Sequence, residues 1–257
     1  MIRFGVCTKF DKLPLLEKAG YDYMEFALSS LEKRSEEEYA EIVRQVDASS
    51  LQVEAFNGFF PADIALVGPA VDMERIAAYT EKALCRAARL GGKVAVRGSG
   101  KSRNIPEDFP YETAYQQFCE VFDLCANIAG KYGMTVALEP LNPRETNFLT
   151  TVAEGIALCE KVNNPHGKCL ADFYHVSQSG ETLNAIRNGH AWIVHTHLAD
   201  PDRDMPESEA DIAICRQWAQ ALKDCGYEGR MSLEGHFSAD FEADITRTRK
   251  ILDLFNE

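Results

Sequence analysis

The feature of this sequence that most constrains its fold is a repeated unit of helical segment, glycine and short apolar run. Clear instances are LEKAG-YDYMEF, ARLGG-KVAVRG, GKYG-MTVALEP and KDCGYEGR-MSLEGHF. Each glycine lies where a helix would end in a left-handed residue. The runs that follow are short and rich in Val, Ile, Leu and Phe, which is typical of strands. Repeated alternation of helix and strand predicts parallel strands joined by right-handed crossovers.

Eight such runs predict strands at residues 3–8, 21–27, 51–56, 93–97, 135–139, 168–172, 193–197 and 231–234. The chain has 257 residues. The average unit of about 32 residues suits a (β/α)8 TIM barrel, so one α/β domain over residues 1–257 is predicted. An open doubly wound sheet is the alternative, but it rarely uses eight units, and no GxGxxG motif follows an early strand. The GSGKS string at residues 98–102 lacks the first glycine of a phosphate loop.

Helix starts are visible between these strands. Ser35 with Glu38, and Thr151 with Glu154, have the spacing of capping boxes. Asp72 is a candidate cap for a helix that runs to Leu90. These signals predict helices in the segments that connect the strands.

Composition and charge narrow the classes of partner. Hydrophobic residues make up 46% of the chain and charged residues 26%, and the net charge is −13. This balance argues against nucleic acid and against an anionic membrane surface as partners. No signal peptide, membrane-length apolar run or CxxC pair is present, so a cytoplasmic protein with reduced thiols is expected. The oligomeric state stays open, a homo-oligomer included.

Four successive predicted strands end in a side chain that can bind metal. Glu139 ends VALE, Asp172 ends CLAD, His197 ends VHTH and Glu234 ends MSLE. Active sites of TIM barrels lie at the carboxyl ends of the strands, so these four side chains are predicted to share one site. Three carboxylates and one imidazole suit Mn²⁺, Mg²⁺ or Co²⁺ better than a structural zinc ion. One carboxylate would then be free to accept a proton from a substrate.

Further polar side chains follow the strand ends at short spacing. They are Glu145, His175, Arg203, His195, His236 and Glu25. His195 lies two residues before His197 on the same strand face, and a hydrogen-bonded second layer or core role is favoured slightly over substrate contact. A solvated loop position is an equal alternative for His236. Glu25 either faces the pocket or is an ordinary rim carboxylate.

Four strings carry a resemblance to a known family. EPLNPRETNFLTTVAEG (139–155), LADFYH (170–175), HTHLADPDR (195–203) and GYEGRMSLEG (226–235) resemble the xylose-isomerase-like sugar isomerase/epimerase superfamily, and most closely its ketose 3-epimerase branch. The resemblance covers the whole chain and is strongest from residue 131 onward. It implies metal ligands and, separately, substrate contacts at matching positions: Glu139, Asp172, His197 and Glu234 for the metal, and Glu145, His175 and Arg203 for the substrate.

The resemblance implies epimerisation of a ketose or keto-sugar derivative with one divalent ion, Mn²⁺ first among the candidates. Such an ion stabilises an enediolate, while a base removes a proton and an acid returns one. Glu139 and Glu234 are the two catalytic carboxylates that the resemblance nominates. Aldose–ketose or hydroxypyruvate-type isomerisation and inosose-type dehydration would use the same site. A DNA-repair endonuclease would need more histidines and a basic surface, and a sugar-binding barrel without activity would not need all four residues.

Two departures from the family pattern leave the substrate open. The loop DMPESEAD at residues 204–211 lacks the usual Pro-Gly-x-Gly pattern, and the pair Phe59 and Phe60 matches no substrate signature. Arg97, Lys101 and Arg103 follow the fourth strand and would suit a phosphate group on the substrate. Solvated loop charges are the favoured interpretation of these three residues.

Overall fold

Eight parallel strands close into a barrel in the computed structural model, which describes all 257 residues. The strands are β1 (Arg3–Cys7), β2 (Tyr23–Glu25), β3 (Val53–Phe56), β4 (Val94–Arg97), β5 (Thr135–Leu138), β6 (Gly167–Asp172), β7 (Ile193–Leu198) and β8 (Arg230–Leu233). Each strand pairs with its neighbour in the sequence, and β8 pairs with β1 to close the ring. The predicted TIM barrel is therefore confirmed.

The eleven helices connect successive strands or follow the last one. They are α1 (Leu13–Ala19), α2 (Leu28–Glu32), α3 (Glu36–Asp47), α4 (Met73–Arg89), α5 (Gly100–Arg103), α6 (Tyr111–Lys131), α7 (Val152–Val162), α8 (Phe173–Ser179), α9 (Asn184–Asn188), α10 (Glu209–Asp224) and α11 (Phe241–Leu252). The capping boxes at Ser35 and Thr151 are both present, and the Asp72 side chain accepts from the backbone N–H of Arg75. No helix combines the length and apolar character that a membrane span requires.

The strand ends differ from the prediction in ways that affect the site. The second strand is shorter at both ends than residues 21–27, because a turn follows the helix-ending Gly20 and Ala27 already caps helix α2. Strands β5 and β8 end one residue early, so Glu139 and Glu234 lie just beyond them. All four predicted metal-binding residues nevertheless stay at the carboxyl end of the barrel.

The inside of the barrel is filled by side chains, so it is a packed core. A small apolar cluster of Val94, Val96, Ala137 and Leu170 is buried apart from the main core, which packs the helices onto the strands. Toward the amino ends of the strands, Glu54 accepts hydrogen bonds from Arg3 at 2.5 Å and Arg230 at 2.6 Å. This ion-paired group lies at the end opposite the predicted site.

Candidate metal centre and active site

The four predicted metal-binding side chains meet at the carboxyl end of the barrel. One potential ligand atom from each of Glu139, Asp172, His197 and Glu234 lies within 4.8 Å of the others. Three of the four residues are buried, and Glu234 is half-buried. They come from β5 to β8, which are adjacent in the ring, so the apolar strands carry each polar end residue to the same place.

The imidazole of His197 faces carboxylates with both of its ring nitrogens. Its Nε2 lies 3.0 Å from Oε1 of Glu25. Its Nδ1 lies 3.1 Å from Oε1 of Glu139 and 3.2 Å from Oε2 of Glu234. When Nε2–H donates to Glu25, the Nδ1 lone pair is free for a cation that Glu139 and Glu234 also face.

Asp172 also has an oxygen available for a cation. Its Oδ1 accepts the backbone N–H of Tyr174 at 2.8 Å, which caps helix α8. Its Oδ2 is buried and has no hydrogen-bond partner in the protein. A buried carboxylate oxygen without a partner is costly unless a cation or proton compensates it. Three oxygen donors and one imidazole therefore fit a divalent cation of the Mn²⁺, Mg²⁺ or Co²⁺ type.

The electrostatics of the cluster also favour a cation. Burial, followed by repulsion from Glu139, raises the pKa of Asp172 to about 8. Burial raises the pKa of Glu139 as well. Burial acts in the same direction on Glu234, but the charges of His197 and Arg203 outweigh it and lower the pKa to about 2. The carboxyl groups of Asp172 and Glu139 thus bind protons more tightly than usual, whereas Glu234 does not because positive charges lie beside it. A divalent ion would compete with these protons.

The three predicted substrate contacts lie beside this cluster. Arg203 is 3.2 Å from Oε1 of Glu145 and 3.3 Å from Oε2 of Glu234, and its guanidinium stacks on the Tyr174 ring at 4.7 Å. His175 Nε2 is 3.5 Å from Oδ2 of Asp172 and has no hydrogen-bond partner. Burial and then the charge of Arg203 lower the pKa of His175 to about 3, so its imidazole is neutral.

Glu25 and His195 form a buried layer beneath His197. Glu25 Oε2 lies 2.8 Å from Nε2 of His195, and neither side chain has exposed surface. Glu25 is therefore neither a rim carboxylate nor exposed to the pocket but a buried partner of two histidines, and His195 has the hydrogen-bonded role favoured from the sequence. His236, in contrast, is exposed and lies 3.3 Å from Asp204, as expected for a solvated loop residue.

The first half of the barrel contributes three site residues that the sequence analysis did not single out. Asn57 Nδ2 donates to Oε1 of Glu234 at 2.6 Å. The Cys7 sulfur lies within 4.8 Å of ligand atoms of His197 and Glu234. A Cβ at Gly98 would clash with Oε2 of Glu139, so a glycine at this position leaves room for that carboxylate. Each of the three ends or directly follows a strand of the structure, but none of them is a metal-capable side chain at the end of a predicted strand, so the rule applied to the last four strands does not select them.

The interpretation of Arg97 and Arg103 as solvated loop charges is wrong. Both side chains are fully buried, whereas Lys101 is exposed. Arg97 lies against Phe118 of α6, with its guanidinium carbon 4.0 Å from the ring centroid. Arg103 donates to the carbonyl oxygens of Glu139 and Leu149 at 2.9 and 3.3 Å. Neither arginine is placed to bind a phosphate group from solvent.

The fold and this cluster define a TIM-barrel protein with an acidic, histidine-containing site at the carboxyl ends of its strands. The chain matches the Xylose isomerase-like TIM barrel family over residues 13–254, and it belongs to that family.

The named relatives include sugar epimerases as well as isomerases. The chain is 30% identical over 124 residues to a probable ketose 3-epimerase of Synechocystis sp., which covers 48% of this chain and 42% of the relative. It is 25% identical over 234 residues to the D-psicose 3-epimerase of Agrobacterium fabrum, which covers 86% of this chain and 78% of the relative. The first match therefore spans less than half of the relative's length.

The barrel is also similar to solved structures. A D-psicose 3-epimerase with D-tagatose from Clostridium cellulolyticum superposes with a TM-score of 0.83. The similarity covers 99% of this chain and 98% of that chain, at 19% sequence identity. At this identity, the similarity establishes a shared fold.

Proposed function

We propose that this protein is a divalent-metal-dependent epimerase of a ketose or keto-sugar derivative. The observation that carries the proposal is the convergence of Glu139, Asp172, His197 and Glu234 on one small volume at the carboxyl end of the barrel. The sugar epimerases among its relatives support the same chemistry.

Asp172 and His197 would chiefly hold the cation, and Glu139 and Glu234 would bind it and also move protons. When bound, such a cation supplies Lewis-acid stabilisation of the negative charge that develops on adjacent substrate oxygens. Mn²⁺ is the first candidate, with Mg²⁺ and Co²⁺ as alternatives.

Glu139 and Glu234 are suited to remove and return a proton at one carbon. They directly follow β5 and β8, with two strands between them, so they approach the cluster from different directions. Each carboxylate is held: Gly98 leaves space for Glu139, while Asn57 and Arg203 bind the two oxygens of Glu234. A positioned carboxylate of this kind accelerates proton transfer by about 10²–10⁴-fold.

Arg203, Glu145 and His175 would orient the substrate. Arg203 forms ion pairs with both Glu145 and Glu234. If a substrate oxygen replaced these carboxylates, the positive charge of Arg203 would lie beside the reacting carbons. The neutral imidazole of His175 has its Nε2 free of protein partners and can bind a hydroxyl group.

The test is a panel of ketoses and keto-glycosides incubated in D₂O with Mn²⁺, Mg²⁺ or Co²⁺. Deuterium uptake at the epimerised carbon, with formation of the epimer, is the expected result. Uptake at C1 and C2 with an aldose product would indicate an isomerase. Loss of water or of a leaving group would indicate a lyase. Absence of exchange with every substrate and metal would reject the proposal.

A further inference from the structure

A large cavity adjoins the metal cluster on the side of the first three strands. It has a volume of about 830 Å³ and lies between the ends of β1, β2 and β3 and the helices α2 and α3. Cys7 and Asn57 line it, and both also contact or approach the predicted metal centre. These two residues therefore place the cavity next to the site where the reacting carbons of a substrate would lie.

The cavity lies beyond the reacting part of the substrate. Glu139, Asp172, His197 and Glu234 do not line it, and neither do the three predicted substrate contacts. Protein cavities that take drug-sized ligands have volumes of about 300–1,000 Å³, and such ligands are larger than one monosaccharide. The volume thus exceeds what the distal carbons of a single ketose need.

The charges around the cavity give an anionic group no net attraction. Four carboxylates line it, together with only two cations, Lys9 and Arg34. The charge of Arg34 is already paired with Glu38, at 3.2 Å. Two of the other carboxylates are likewise paired, with Lys12 and Arg44. The wall therefore has no excess positive charge to bind a phosphate or carboxylate, whereas neutral hydroxyl groups can donate to its carboxylates.

Aromatic side chains form an apolar part of the same wall. The rings of Phe10 and Phe26 pack with their centroids 4.3 Å apart, and both residues line the cavity. Apolar surface with a few polar groups around it is what a ligand site needs to bind the carbon skeleton and orient its hydroxyls.

We propose that the substrate is an uncharged sugar larger than a monosaccharide, such as a glycosylated ketose or a keto-glycoside. Its second sugar unit occupies the cavity between α2, α3 and the ends of β1 to β3, while the keto-sugar unit lies at the metal centre. This proposal rests on the proposed epimerase function and extends it to the choice of substrate.

The test compares three compounds with the same reacting carbons. They are the ketohexose that is most active in the D₂O panel, its 6-O-glucosyl derivative and its 6-phosphate. We expect kcat/KM for deuterium exchange to be about tenfold or more higher for the glucosyl derivative than for the free ketose, because remote binding energy accelerates the reacting unit. The phosphate ester should react more slowly than the free ketose. Equal or lower kcat/KM for the glucosyl derivative would overturn the proposal.

Direct binding separates this proposal from the epimerase assignment. If no ketohexose supports exchange, D-fructose, its 6-O-glucosyl derivative and its 6-phosphate serve as the probes. Their affinity for the Glu139→Gln variant is measured by calorimetry, which does not require turnover. Tighter binding of the glucosyl derivative supports the extended substrate even if no exchange occurs, in which case only the epimerase function fails. Equal binding of the free and glucosylated ketose rejects the extended substrate even if both are epimerised.

A bulky substitution in the cavity provides a second test. Ser30 is exposed and lines the cavity from α2, so Ser30→Trp should fill it. This variant should lose about tenfold or more in kcat/KM for the glucosyl derivative and keep its activity on the free ketose. Lys33→Trp, at the end of the same helix but outside the cavity, is the matched control and should leave both activities unchanged. An unchanged preference in Ser30→Trp would contradict the assignment of the cavity.

Discussion

Glu25 accepts a hydrogen bond from Nε2 of His197 at 3.0 Å and thereby turns Nδ1 of the ring toward Glu139 and Glu234. The second oxygen of Glu25 binds His195 at 2.8 Å, so this carboxylate cannot rotate away without losing both histidines. An outer carboxylate of this kind fixes the tautomer of a metal-binding histidine and increases its basicity.

We predict that Glu25→Gln lowers metal affinity by about 10–100-fold. The amide has one acceptor oxygen in place of two, so one of the two histidines must change its tautomer or lose its partner. Calorimetric titration with Mn²⁺ measures the effect. Glu54→Gln is the matched control, since Glu54 is also buried but binds arginines at the other end of the barrel. It should lower the melting temperature and leave metal affinity intact, and equal metal affinity in both variants would refute the role of Glu25.

We predict that Glu234→Gln and Glu139→Gln each lower kcat by about 10²–10⁴-fold or more at saturating metal. An amide cannot accept the substrate proton, although it can still occupy the same space. Asp172→Asn is the comparison, because Asp172 is assigned to metal binding alone. Raising the Mn²⁺ concentration should restore much of the activity of Asp172→Asn and none of that lost in the two glutamine variants. Near-normal turnover in either glutamine variant would contradict the pair of catalytic carboxylates.

The second half of the barrel was predictable because each strand there is an apolar run that ends in a metal-capable side chain. The fold and the grouping of Glu139, Asp172, His197 and Glu234 followed from that pattern. Asn57 and Cys7 were not found, since an amide and a thiol are common in loops and strands without any ligand.

Arg97 shows a different limit of the sequence. Its position at the end of β4 matches that of the site residues, but side chains alternate along a strand. Val94 and Val96 face the inside of the barrel, so Arg97 faces α6 instead. Which face a residue occupies depends on the register of the strand, and a four-residue apolar run does not reveal it.

Metal removal should destabilise the folded protein, and this loss of stability should increase as the pH rises. The pKa of Asp172 is raised to about 8 in the folded chain from an ordinary value of 3.8. Between these pH values the folded, metal-free state binds more protons than the unfolded state, so its stability falls as pH rises. A bound cation replaces those protons, and at a hundredfold excess over Kd it adds about 2.7 kcal/mol. We therefore predict that Mn²⁺ raises the melting temperature more at about pH 8 than at about pH 6. Scanning calorimetry with and without a chelator measures the two melting temperatures. An increase on Mn²⁺ binding that does not depend on pH would contradict the prediction.

The two fully buried arginines, Arg97 and Arg103, should respond in opposite ways to the same substitution. The three guanidinium nitrogens of Arg97 have no hydrogen-bond acceptor in the protein, and burial lowers its pKa to about 10. Its compensation comes from aromatic rings alone, of which Phe118 is nearest at 4.0 Å, and this contact returns only about 2 kcal/mol. Because burying a charge without hydrogen bonds costs more than that, we predict that Arg97→Met raises the free energy of unfolding by about 1–4 kcal/mol. Arg103→Met leaves the carbonyl oxygens of Glu139 and Leu149 without their hydrogen-bond donor. This substitution should lower the free energy of unfolding by about 1–3 kcal/mol. Urea denaturation of both variants gives the two values, and a destabilised Arg97→Met would mean that the guanidinium of Arg97 has a compensating partner in the folded protein.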